Sequence, residues 1–198
     1  MKRIKSLIGA LAFVVSMTIT AQAQDAVVFG FFDANEFAVV EFSTGDVTSP
    51  TYLDFDTFGS TNDDGSTADT EILLFSGLGP SATFLVDDDD GASGFFSSLT
   101  FGAGAGAGVH DGDNFSGEDG NLAAGDYTLV IGEFSTSPVP GGTFQDFVDQ
   151  GDFGNEAVNF TLNIFTNDAS FQLAAVPEPA SGLLLVGGML GLLVRRRR

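Results

Sequence analysis

The residues best suited to chemistry in this chain are carboxylates, and they come in short runs. Asn62-Asp63-Asp64-Gly65 is followed by Asp69, Asp87 to Asp90 are consecutive, and Asp111-Gly112-Asp113-Asn114 is followed by Glu118 and Asp119. Such runs suit a hard divalent cation, because Ca²⁺ takes roughly six to eight oxygen ligands and neighbouring loop carboxylates supply them without a helix. Asp63, Asp64, Asp69, Asp87, Asp88, Asp89, Asp90, Asp111 and Asp113 are therefore the candidate metal ligands. None of the runs follows the EF-hand spacing D-x-[DN]-x-[DN]-G with a closing Glu; the nearest, Ser60 to Gly65, starts on the wrong residue. The alternative reading is a set of solvated acidic turns, since Asp and Asn are ordinary turn residues.

Other chemistries have less to work with. His110 is the only histidine and there is no cysteine, so zinc lacks its usual nitrogen and sulfur ligands. No G-x-S-x-G elbow presents a nucleophilic serine. Glycoside hydrolysis needs only two carboxylates, which keeps a secreted polysaccharide hydrolase as the alternative function. Against it, there is no tryptophan, and Tyr52 and Tyr127 are the only tyrosines for stacking on sugars. A ligand-binding module, including one for ice, is a third reading; Thr44, Thr48, Thr51 and Thr57 show no fixed repeat of the kind a flat ice-binding face needs. The expectation is a protein without catalytic activity.

The elements that must position these carboxylates read as short strands. Val27–Phe32 and Phe37–Phe42 suggest a strand pair around the turn Asp33-Ala34-Asn35. Thr51–Phe58 alternates, with Leu53 and Phe55 on one side and Asp54 and Asp56 on the other. Glu71–Phe75, Thr83–Val86, Phe95–Phe101, Tyr127–Gly132 and Val158–Phe165 follow, separated by Gly, Asp, Asn, Ser and Pro. About eight such strands, with no long amphipathic helix, predict an all-β fold, a β-sandwich or jelly roll. Phe144–Phe153 fits a short helix on Phe144, Phe147 and Val148, and equally a long loop. Gly102–Gly108 (GAGAGAG) reads as a linker or a thinly packed edge strand, since no Lys and Ser or Thr follow to complete a phosphate loop.

Charge sorts the chain into three parts. All seven Lys and Arg lie at the ends, and every Asp and Glu except Glu178 lies between them. Residues 24–175 thus form an acidic domain without a lysine or arginine, which excludes nucleic acid as a partner. Its self-repulsion calls for bound cations or salt, and without cysteines it is held by packing or metal. Twenty of the 21 phenylalanines lie in it, spaced along its strands, so it has the material for a core. Residues 1–23 read as a signal peptide with a helical apolar stretch: Lys2, Arg3 and Lys5, then Leu7 to Val15, then Ala21-Gln22-Ala23, with cleavage between Ala23 and Gln24.

Residues 176–198 are the third part. Val176-Pro177-Glu178-Pro179 is followed by Ala180 to Val194 without a charge, then by Arg195, Arg196, Arg197 and Arg198. At about 1.5 Å per residue the apolar run spans roughly 22 Å as a short helix, less than the roughly 30 Å hydrocarbon core, so it suits a temporary membrane stay. The arginines would hold to the cytoplasmic face and leave the rigid Pro-Glu-Pro outside. This tail resembles the PEP-CTERM sorting signal of Gram-negative bacteria. The resemblance implies processing by an exosortase, an intermediate in the inner membrane, delivery to the outer envelope or the exterior, and a link to exopolysaccharide and biofilm; similar tails also occur on some proteins labelled ice-binding.

Residues 69–132 are similar to the bacterial pre-peptidase C-terminal domain family, small secreted β-sandwiches of which some bind calcium. The matching stretches are Asp69 to Phe75, Val86 to Gly91, Ser97 to Phe101 and Leu122 to Gly132, with departures at 102–108 and at His110–Asn121. That resemblance implies an accessory rather than a catalytic role. The whole reading is an exported, exosortase-sorted envelope or matrix protein, stabilised by Ca²⁺.

Overall fold

Burial alternates along Ala26–Phe32 and Ala38–Thr44, and both are strands, β1 and β2, in the computed structural model. The structure describes residues 26–90, 94–103, 119–134, 136, 140–151 and 153–174. Eight further strands follow: β3 (Tyr52–Asp56), β4 (Thr61–Asn62), β5 (Thr70–Ser76), β6 (Thr83–Asp89), β7 (Ser98–Gly102), β8 (Gly125–Glu133), β9 (Val158–Thr166) and β10 (Gln172–Leu173). They form two antiparallel sheets, ordered β1-β9-β3-β7 with β4 beside β9, and β10-β2-β8-β5-β6. This is the expected all-β sandwich. The stretches expected to be a signal peptide and a tail helix, and most of the Gly-Ala run, lie outside the described residues.

Two expectations change. β1 and β2 are not a pair: β1 pairs with β9, while β2 pairs with β8 and β10. Each buries one face, Val28 and Phe32 from β1, Ala38, Val40 and Phe42 from β2, and both faces enter the same core from opposite sides. The connection between them crosses from sheet to sheet, with Asn35 at φ 63 and its N–H donating to Gly154 O. Second, Asp87, Asp88 and Asp89 are strand residues, not loop residues. They continue β6 opposite Leu73, Ile72 and Glu71 of β5, so ladder pairing overrides the turn preference of Asp.

The phenylalanines fill two cores. Between the sheets, Phe42 lies 5.1 Å from Phe55, 5.3 Å from Tyr127 and 5.6 Å from Phe171. Gly30 of β1 faces Phe160, whose ring occupies the place a Cβ would take, so the glycine makes room for a ring in the core. The second core lies on the outer face of the β5–β8 sheet: Leu73, Phe75 and Val130 are covered by Phe147 and Phe153. That is why β5 is buried on both faces. The cover is a helix, α1 (Phe144–Gln150), which settles the ambiguous stretch. Thr143 and Asp146 form a reciprocal capping box, and Gly151 ends the helix at φ 69.

Candidate functional site

The site forms where β5, β6 and β8 end together. Thr70 is fixed by its N–H to Phe95 O at 3.0 Å and by its hydroxyl, 2.5 Å from that of Thr57. Ser97 adds an N–H to Thr57 Oγ1 at 2.9 Å, and its own hydroxyl donates to Thr70 O. This buried network holds Asp69, whose carbonyl also accepts from Phe134 N at 2.9 Å. From the neighbouring strand comes Asp89, at the end of β6, and then Asp90 in the left-handed region at φ 64, a conformation Asp tolerates better than most residues. One carboxylate oxygen from each of Asp69, Asp89 and Asp90 lies within 4.8 Å of the others.

These groups repel one another without compensation, since no Lys, Arg or His is among the described residues. Burial, then Asp90, Asp89, Glu133 and Glu156, pushes Asp69 up to about 6. Its Oδ1 is shielded from water and receives no hydrogen bond. Burial, then Asp90 and Asp87, also raises Asp89. Glu71 sits directly opposite Asp89 on the ladder with 6 % exposure. Burial, followed by Asp89, Asp87 and Asp88, raises it to about 8, against a backbone N–H from Thr136 that favours the carboxylate. Glu133 is raised by burial, although N–H groups of Asn155 and Glu156 oppose the shift.

Of the sequence candidates, Asp69, Asp89 and Asp90 come together. Asp63 and Asp64 sit exposed in the turn after β4, where Asp64 accepts from Ser66 N at 2.8 Å and is held below the usual range by Ser66. Asp88 accepts from Ser98 N at 2.8 Å, and Asp87 lies on β6, where partial loss of hydration raises it. Asp111 and Asp113 lie outside the described residues, as do His110, the cleavage residues Ala21, Ala23 and Gln24, and the tail. Sequence reading missed Glu71, Glu133 and Glu156. Glu71 was detectable in principle, as the one charge heading the apolar run Ile72-Leu73-Leu74-Phe75.

Chemically, three oxygens at this spacing can share one divalent cation, with bidentate carboxylates and water completing the shell. A cation there would relieve the repulsion on Asp69 and Glu71.

The second functional element is the tail. Residues 175–198 match the family model of the PEP-CTERM protein-sorting motif. The chain carries that motif. A PEP-CTERM signal is recognised by exosortase, a membrane protein, so this is an exported protein sorted at a membrane. No curated protein matches the chain. Among the described residues no helix is long and apolar enough to cross a membrane.

Proposed function

We propose that the acidic sandwich is a non-catalytic envelope or matrix component of a Gram-negative bacterium, that Ca²⁺ at Asp69, Asp89 and Asp90 stabilises it, and that it works among exopolysaccharide in biofilm. The observation that carries the calcium reading is the convergence of three carboxylates from two segments, Asp69 before β5 and Asp89-Asp90 at the end of β6, one with an oxygen buried and lacking a donor, where no cation of the described chain balances them. The sorting motif supports the destination. Glu71 has the raised pKa of a glycosidase acid, but at 6 % exposure it is enclosed between strands rather than open to a sugar, which favours the non-catalytic reading.

Thermal unfolding of the exported protein in calcium and in chelator, at fixed ionic strength, tests the site. The midpoint rises with calcium concentration if only the native state binds. An unchanged midpoint removes calcium from the proposal. For delivery, replacing Pro177, Glu178 and Pro179 together by Ala leaves uncleaved precursor in the inner membrane; normal release of that variant would contradict the role given to the motif.

A further inference from the structure

The four sheet edges are not alike. A free strand edge offers unpaired N–H and C=O groups to any other strand, and proteins ordinarily blunt it with short length, charge or cover. β7 is covered: Ser98 N donates to Asp88 Oδ2 at 2.8 Å, Thr100 N to Asp119 Oδ2 at 2.6 Å and Gly102 N to Gly120 O at 2.7 Å. β6 carries Asp87, Asp88 and Asp89, and its ladder with β5 is broken by a bulge between Leu74 and Phe75. β10 is only two residues long. Among the described residues β1 has none of these devices. It is seven residues, AVVFGFF, without charge or proline, in unbroken register with β9.

The same strand carries an apolar stripe. Val27, Phe29 and Phe31 are 40 %, 54 % and 45 % exposed on the outer face of the sheet. Their partners on β9 are Asn163, Thr161 and Asn159, which are also uncharged. The described residues include no cation, and along this strip a second molecule of identical charge meets uncharged side chains rather than carboxylates.

We propose that the exported protein forms a two-fold dimer by antiparallel pairing of β1 with β1 of a second copy, joining the two β1-β9-β3-β7 sheets into one. An edge paired with its own copy is self-complementary, as a closed two-fold interface requires. With the axis at Gly30, Phe29 meets Phe31 of the copy on the outer face, so the two stripes merge. Asp33, just beyond β1, then lies opposite Val27 rather than another carboxylate. Because each subunit is acidic, pairing strengthens as salt rises, the opposite of an ion-paired interface.

Sedimentation equilibrium of the exported protein, with calcium and salt fixed, tests this. Wild type shows a concentration-dependent dimer. Phe29→Lys weakens it by about thirtyfold or more, the effect of losing a central aromatic anchor. Phe31→Lys behaves alike. Phe95→Lys, on a ring 54 % exposed outside β1, leaves the dimer intact. Urea midpoints establish that each variant is folded; if Phe29→Lys is not, Phe29→Thr keeps strand propensity and is read instead, with the same direction of change expected. A wild type monomeric at its highest soluble concentration overturns the proposal, as does a dimer indifferent to both β1 lysines. Monomer that floats with zwitterionic vesicles in a Phe29-dependent way also overturns it, and assigns the stripe to lipid.

Discussion

Replacing Glu71 by Gln should make the metal-free protein more stable at pH 9 and change little at pH 5. Glu71 has a folded pKa near 8 against an ordinary value of 4.5. A raised carboxyl pKa means that the folded state holds a proton the unfolded state has already lost. Its contribution is therefore intact below about pH 4.5 and is lost as pH rises through about 8. The full shift corresponds to about 5 kcal/mol, and screening by water at the strand end reduces this to about 2 kcal/mol. Gln fills the same volume, still accepts from Thr136 N, and turns an amide toward Asp89 instead of a second charge. At pH 9 the variant should gain about 2 kcal/mol, or roughly 4–8 °C in midpoint for a domain of this size. Urea denaturation of both proteins in chelator at pH 5, 7 and 9 gives the answer. If the difference between them is the same at all three values, Glu71 does not ionise in the folded protein as argued, and the ladder of carboxylates is not the source of the pH dependence.

Asp69→Asn combined with Asp89→Asn should abolish the calcium-induced rise in melting midpoint while slightly raising the midpoint in chelator, because the same carboxylates that would bind metal repel one another without it; a calcium titration of both proteins measures this. Phe147→Ala should cost about 3–4 kcal/mol, since the ring is 1 % exposed and lies 5.1 Å from both Phe37 and Phe153; urea midpoints report the loss. Asp168→Ala should cost about 2 kcal/mol in urea unfolding at pH 7, because this carboxylate accepts from Thr44 Oγ1 at 2.7 Å, Gly45 N at 2.8 Å and Ser170 N at 2.9 Å.

The strands were legible because their alternation is local. Val158 to Ile164 shows in every second residue what it buries, and β9 follows it closely. Partners were not legible. Nothing within AVVFGFF says whether its edge pairs with β2 or with β9, because both arrangements bury the same residues. The helix from Phe144 stayed undecided because its apolar face has just three members; Thr143 and Gly151 at its ends, and the rings of Phe37, Phe75 and Phe153 beneath it, decide the matter. The acidic site shows the same division. Carboxylates were grouped by nearness along the chain, whereas Asp69 meets Asp89 and Asp90 through the pairing of β5 with β6. Glu71 was hidden for the same reason, its significance lying in the residue across the ladder.

The long strand β8 separates two carboxylate environments of opposite character. Its first residue, Gly125, pairs with Thr44, whose hydroxyl binds Asp168; Gly132, near its other end, pairs with Glu71. Burial works against Asp168, but hydrogen bonds from Thr44, Ser170 and Gly45 prevail and hold it at about 2. Its stabilisation is present above about pH 4 and is lost as pH falls toward 2. Acid therefore loosens one end of β8, and alkali in the absence of metal loosens the other. The sandwich has no single weakest point: which backbone amides exchange first with solvent depends on the direction in which the medium departs from mild acidity. An exchange map recorded at two pH values, after correction for intrinsic rates, would show the opening front starting from opposite ends of the same strand.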